Sequence, residues 1–276
     1  MIYTRLTNGF GNNLFQCIAS KLLATFLEQE NTYVPPTSNY YGIEELGKIG
    51  FHIGDSKIPN CSPVNDANFT HYFNKQYTKT DLVVSGYFEN YKFYKNNIDL
   101  IKSWLTKVED KNKEDLVVHF RAGDRLFYAN EFDSKPQAEN YINAIEQFDF
   151  KKLHVVTDMP QWKKITVEEL ENMKFHVDVP ADKRVDPKRS VEYFNSIVDA
   201  FSMYDLQIDK TRSVAEDFNF IRSFDNILFQ HGTLGWWAAV LSDAKKVGVY
   251  GPWRPWKGNS NKNLSDINLE GWFKWE

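Results

Sequence analysis

Hydrophobic and polar positions along this chain fall into short apolar runs and longer stripes of helical period, and their order predicts the architecture. MIYTRL reads as a first strand. A Gly/Asn turn, TNGFGNN, leads into a helix over about residues 14–28, with Leu14, Phe15, Ile18, Leu22, Leu23 and Phe26 on one stripe. NTYVPP is a short second strand stopped by proline. Residues 36–80 are polar and aperiodic; DLVVSGYF then reads as a strand and NNIDLIKSWLTKV as a helix. The charged stretch EDKNKED, residues 109–115, places a boundary between a domain over 1–112 and one over 113–276.

Beyond that boundary, strands and helices alternate. The strands are DLVVHF, KLHVVTD, KFHVDV, NILFQ and KVGVYG, and the helices fall near 136–148, 160–172, 190–205 and 234–242. These strands are short and apolar on both faces, as in a parallel sheet covered by helices. The expected class is α/β, with a Rossmann-like second domain and a smaller, less regular first one.

Composition narrows the class. With 42% hydrophobic and 25% charged residues the chain is ordinary for a soluble globular protein. A net charge of -4 gives no basic field to hold nucleic acid. No apolar run approaches the roughly 20 residues of a membrane span, and MIYTRLTNGF lacks a signal-peptide layout. Two cysteines, Cys17 and Cys61, make no disulfide framework, so a reducing, cytoplasmic setting is expected. No D-x-D pair, no metal-ligand spacing among the six histidines and no P-loop occur, so neither metal nor cofactor is expected. Aromatics reach 16%; most should pack in the core, and a surplus suits a surface that handles sugars, since an aromatic face packs on the C–H face of a pyranose.

Ligands of open parallel sheets sit at the carboxyl ends of the strands. VVHFRAGD delivers His119 and Arg121 to one face there, then Gly123 for a sharp turn, then Asp124 and Arg125. An arginine fork suits a diphosphate; the competing reading is a structural Arg121–Asp124 pair. In ILFQHGTLGWWAAVL a strand ends at Gln230 and a helix starts near Thr233. Its free N–H groups suit an anion, Gly232 permits close approach, and Thr233 is either a ligand or a plain cap. Trp236 and Trp237 should pack the helix on the sheet. Thr157 and Asp158 end another strand, where the aspartate would bind ribose or cap a helix starting after Pro160. Gly9-Phe10-Gly11 is only part of a dinucleotide fingerprint, because Leu14 replaces its third glycine, but Asn12 and Asn13 could bond a sugar or phosphate. The basic segment 182–190 reads as a solvated loop, and Arg254 and Lys257 are weaker phosphate candidates.

Four stretches in order resemble the fucosyltransferase superfamily, closest to the α-1,2-fucosyltransferases. GFGNNLFQ resembles that family's G-x-G-N-Q-L-F-Q, and SGYFENYKFY its G-Y-F-Q-x-x-x-Y-F segment. VVHFRAGDR resembles the H-x-R-R-G-D donor motif, with Ala122 at the second arginine. TDMPQW with QHGTLGWWAAVL resembles S-D-D-x-x-W and N-S-T-F-S-W-W-x-A-x-L, with Met159 at the second aspartate and His231-Gly232-Thr233 at the Asn-Ser-Thr turn. The resemblance implies a compact GT-B architecture, two Rossmann-like lobes facing a cleft. It also implies inverting, metal-independent transfer of fucose from GDP-fucose to an acceptor hydroxyl. By position, Arg121 would hold the β-phosphate, with Gly123 and Arg125 beside it. His119, Asp158, His231, Gly232, Thr233 and Leu234 would line the GDP pocket, Gly11 would belong to the donor site, and Asn12 would sit near the sugar. Asp124 and Glu131 follow the donor motif and are the candidate bases. A transferase using another nucleotide sugar, or a glycan-binding module that kept the fold, remain alternatives. Acceptor, linkage and oligomeric state have no readable code; the partners implied are a nucleotide-sugar donor and a glycan.

Overall fold

A computed structural model describes the 276-residue chain except residues 8, 37–41, 55–56, 109–111, 134, 176–178, 210–211, 231, 251–270 and 276, and the side chains of residues 130 and 131. The described residues form two compact units. One comprises Met1–Lys107 with Ser213–Phe218; the other comprises Val108–Arg212 and the described residues from Asn219 onward. The chain thus crosses between units after Lys107, five residues before the expected boundary at 112, and the brief return at 213–218 carried no sign in the sequence.

The first unit is built on strands β1 (Ile2–Arg5), β2 (Asn31–Val34), β3 (Ser62–Val64) and β4 (Leu82–Val84), with helices α1 (Phe10–Leu27) and α2 (Ile98–Ser103). The sheet order is β2-β1-β4-β3, and every pairing is parallel. Helix α1 begins at Phe10, so Gly11 and Asn12 lie in its first turn and not in a loop before it. Its Leu14, Ile18 and Leu23 are fully buried, while Phe26, expected on the same stripe, stands 36% exposed at the end of the helix. β3 escaped the sequence reading because SPV is too short to show a period.

The second unit holds β5 (Asn112–Phe120), α3 (Ala129–Phe132), α4 (Ala138–Ile145), β6 (Leu153–Thr157), α5 (Val167–Asn172), α6 (Pro187–Phe201), β7 (Leu206–Ile208), β8 (Phe224–Phe229), α8 (Thr233–Val240), β9 (Lys246–Tyr250) and β10 (Phe273–Trp275). Helix α7 (Val214–Arg222) starts in the segment assigned to the first unit. The sheet order is β10-β9-β8-β5-β6-β7, again all parallel. The strand expected at KFHVDV falls largely on 176–178, outside the described residues, and β7 takes the place beside β6. Both units are therefore parallel α/β sheets with helices, the expected class.

The strand orders locate the ligand edges. From β5 the chain builds outward through β6 and β7, then returns to the other side of β5 to place β8, β9 and β10. The direction of winding reverses between β5 and β8, and the crevice beyond the carboxyl ends of such a strand pair is where open α/β sheets take ligands. In the first unit β1 leads outward to β2, and the chain then crosses to the far edge for β3 before stepping inward to β4 beside β1. Among the described residues no helix is long and apolar enough to cross a membrane.

Leu23 is fully buried in α1, so Leu23→Ala removes methylenes from a packed interior. We expect a loss of about 2–5 kcal/mol in urea unfolding. A loss below about 1 kcal/mol would contradict the packing described.

Candidate functional site

Strand β5 ends in His119 and Phe120, and Arg121 follows at once. Its neighbour β8 ends at Phe229, and Gln230, Gly232 and the first turn of α8 follow. The two ends meet closely. A Cβ placed on Gly232 would lie 3.6 Å from His119 Cε1 and 3.9 Å from Arg121 Cγ. One on Gly235, in the first turn of α8, would lie 2.5 Å from His119 Nδ1, closer than real side chains approach. Both glycines let the helix tip come down onto the strand end, and Gly232 does so at φ 131, a conformation other residues rarely adopt. The arginine stem and the α8 N-terminus are thus neighbours at the reversal point of the sheet.

The guanidinium is already engaged. Arg121 Nη2 donates to Asp124 Oδ1 at 2.5 Å, and Arg121 Nη1 pairs with Asp158 Oδ2. Asp158 comes from the end of β6, and its Oδ1 accepts the Ala122 N–H at 2.8 Å. Asp124 Oδ2 lies 3.9 Å from Arg125 Nε. Arg121 nevertheless keeps 29% of its side chain exposed, so it is not sealed inside the protein by its acids. Gly123 makes the arrangement possible: a Cβ there would fall 2.3 Å from Asp158 Oδ2 and 3.1 Å from Arg121 Nη1. Its φ of 34 also lies in the left-handed range.

Behind the fork lies a buried polar chain. Gln230 Nε2 donates to the carbonyl of Arg121, and Tyr141 OH on α4 donates to Gln230 Oε1 at 2.7 Å. Both residues are buried, and Tyr141 packs on Phe120 and Trp275. Leaving a buried carbonyl unmatched is costly, so this chain fixes the backbone from which Arg121 projects. His119 is buried with its Nδ1 unmatched by any hydrogen bond. Burial, and secondarily the Arg121 charge, lowers its pKa to about 3, so its ring is neutral at ordinary pH.

Several expectations change in this light. The competing reading of Arg121–Asp124 as an ion pair is present in the geometry. Asp158 caps no helix, because the next helix, α5, begins at Val167 and is capped by Thr166. Asp124 is 5% exposed and its two oxygens face arginines, so it orients the fork. Asn13 is buried and accepts the Thr7 N–H, a structural role that closes the turn after β1. Asn12, half-buried, and Gly11, buried, belong to the first unit. Thr233 and Leu234 are half-buried in the first turn of α8, and Trp236 and Trp237 are fully buried packing residues. His231, Arg254 and Lys257 lie outside the described residues, as does the side chain of Glu131.

The segment 182–190 is not simply a solvated loop. Val185 N donates to Phe127 O at 2.8 Å, Tyr128 and Arg184 form an antiparallel bridge, and Ser190 Oγ donates to Leu126 O at 2.6 Å. It docks on the turn that follows Arg125, whose guanidinium carbon lies 5.7 Å from the Tyr128 ring centre. Sequence reasoning missed this docking, as it missed Gln230 and Tyr141. Only Gln230 left a trace, a lone amide ending the apolar run ILF. Among the described residues no group of three or more His, Cys, Asp or Glu is placed to hold a metal ion.

No family model matches the chain, and no curated protein matches it. Among solved structures it is similar to NodZ alpha-1,6-fucosyltransferase soaked with GDP-fucose, at 11% identity over 87% of this chain and 92% of that one, with a TM-score of 0.38.

Two outcomes follow from this geometry. The unfolded chain protonates His119 near the ordinary 6.5, while the fold resists protonation down to about 3. Between these values the unfolded state binds more protons, so stability is complete above 6.5 and is lost as pH falls towards 3. Urea titrations across that range should show a steeper acid loss for the wild type than for His119→Gln; parallel curves would place the ring in solvent. Gly123→Ala should separate Arg121 from Asp158 and destabilise the protein by about 1–3 kcal/mol. An unchanged unfolding midpoint would contradict the close approach at Gly123.

Proposed function

We propose that the chain transfers a sugar from a nucleoside-diphosphate donor to a glycan hydroxyl, and that the donor is GDP-fucose. Transfer inverts the anomeric centre, needs no metal and forms an α-1,2 linkage. The observation that carries the diphosphate reading is the meeting of Arg121 with the start of α8 at the β5/β8 reversal. The guanine, the fucose and the linkage rest on the ordered motifs at residues 9–16, 85–94, 117–125 and 157–241.

In this reading the reaction places growing negative charge on the departing diphosphate while the sugar becomes oxocarbenium-like. Fixed donors that need no rearrangement stabilise that charge best. Each terminal nitrogen of Arg121 faces a carboxylate and 29% of its side chain is exposed, and in this reading the exposed side of the fork meets the phosphate while its carboxylates stay in place. The backbone N–H groups opening α8 and the Thr233 hydroxyl supply the opposite wall. Neutral His119 keeps a second positive charge out of the floor of the site. Arg125 adds charge at the turn, and Asp158 holds the fork from the β6 side. Asp124 has both carboxylate oxygens turned to arginines and orients the fork, which leaves Glu131 as the base in this scheme.

A second reading draws on one observation: Asp124 and Asp158 balance the charges of Arg121 and Arg125 without any ligand. On that reading the chain is a glycan-binding module with a structural ion-pair cluster. Calorimetry with GDP separates the two, since a module of that kind has no site for the nucleotide.

Incubation with GDP-fucose and a β-galactoside acceptor should release GDP. Arg121→Lys keeps a charge beside both carboxylates but loses the fork, and turnover should fall by about 10²–10³ with little change in unfolding midpoint. A folded Arg121→Lys variant turning over near the wild-type rate would place the chemistry elsewhere. Release of another nucleotide from a panel of nucleotide sugars, with none of GDP, would replace the donor.

A further inference from the structure

The ladder between β5 and β8 stops before it reaches the fork. Its last paired residues are His119 and Phe229, after which the chain from β8 turns away through Gly232 into α8. The carbonyl of Arg121 therefore lies beyond the paired strands, and a side chain takes it, through Gln230 Nε2. The Gln230 amide is a surrogate rung between the two strand ends, in place of an N–H from the backbone that goes on to open α8.

Such a rung works in one orientation only. A backbone carbonyl accepts and never donates, so Gln230 must turn its NH₂ to Arg121 and its oxygen the other way. The two ends of a glutamine amide are nearly equal in size, so what stands opposite decides which way round it lies. Opposite stands Tyr141 OH, which donates to Gln230 Oε1 at 2.7 Å. Burial holds that phenol protonated, its pKa well above the usual 10. The ring is fully buried and fixed on three sides, with ring centres 5.7 Å from Phe120, 5.5 Å from Phe201 and 4.9 Å from Trp275. Gln230 is itself 4% exposed, which shuts the amide between the phenol and the carbonyl.

We infer that Tyr141 is a positioning residue for the Arg121 fork: from α4 it orients the Gln230 amide, and through that amide it holds the backbone from which the guanidinium projects. Asp124 and Asp158 hold the tip of the arginine, and Gln230 holds its root. Tyr141 touches no substrate in this scheme. Without its hydroxyl, Gln230 Oε1 is buried with no donor, and the amide loses the contact that keeps its N–H on the Arg121 carbonyl. The effect on turnover rests on the transferase reading above; the positioning of Arg121 does not.

The test uses the full chain with ¹⁵N-labelled arginine, the Arg121 Nε signal being identified by its loss in Arg121→Lys. Tyr141→Phe keeps the ring and its contacts and removes only the hydroxyl. Tyr94→Phe is the control, since it removes an equally buried phenol from Phe88 O, a 2.6 Å bond in the first unit. Tyr141→Phe should move the Arg121 Nε signal, and Tyr94→Phe should leave it in place. Because Tyr141 acts through Gln230, Tyr141→Phe combined with Gln230→Met should give the same signal position as Gln230→Met alone. Release of GDP from GDP-fucose should slow about three- to tenfold in Tyr141→Phe, as for the loss of one buried hydrogen bond. The role is overturned if the signal stays put in Tyr141→Phe, if Tyr94→Phe moves it equally, or if the double variant sums the two single shifts. Should Gln230→Met fail to fold, Tyr141→Phe against Tyr94→Phe decides alone. The signal needs no ligand, which keeps the two readings apart. A moved signal in a protein that never releases GDP would remove the transferase reading and leave the positioning role; GDP release with an unmoved signal would do the reverse.

Discussion

The contact on which the second unit's site depends is the pairing of Arg121 with Asp158. It joins the end of β5 to the end of β6, and the same carboxylate takes the Ala122 N–H. Without it the guanidinium would lean on Asp124 from its own turn, and the turn at Gly123 would lose the group that fills the space of its absent side chain. A charge pair that is partly exposed contributes little to stability by itself. Its consequence here is geometric, because it aims a planar donor group across the reversal point of the sheet.

Other features share that consequence. Gly232 and Gly235 bring α8 onto His119 and Arg121, and Gln230 with Tyr141 holds the arginine's carbonyl from inside. His119 is kept neutral by burial, so the positive side of the site is delivered by arginine and by the helix end. Acid and base are balanced around the fork before any ligand arrives, which reconciles a cation at a strand end with the chain's overall negative charge of -4.

Legibility in the sequence followed the strength of the local signal. β5, β6, β8 and β9 were readable because short apolar runs between polar breaks fold as strands covered on both faces. Gly123 and Gly232 were readable as turn residues, and both adopt positive φ. β3, β7 and β10 were not, since three residues show no period and their pairing is decided by the neighbouring strand. The start of α1 was placed late because Gly9 and Gly11 look like a loop, although Phe10 is buried and the helix already runs from it through Gly11. Asp158 was legible as a strand-end acid, but its partner was not, because Arg121 belongs to a different strand end and only the β5/β6 pairing brings them together. The docking of 182–190 on 126–128 is hidden for the same reason.

The central claim is that a nucleoside diphosphate binds where β5 and β8 end. Amide spectra of ¹⁵N-labelled protein titrated with GDP test it most directly. The account predicts saturable shifts concentrated at Gly123, Gly232 and Gly235 and at the side-chain signal of Arg121. Spectra that stay unchanged, or shifts gathered at a different part of the second unit, would contradict it.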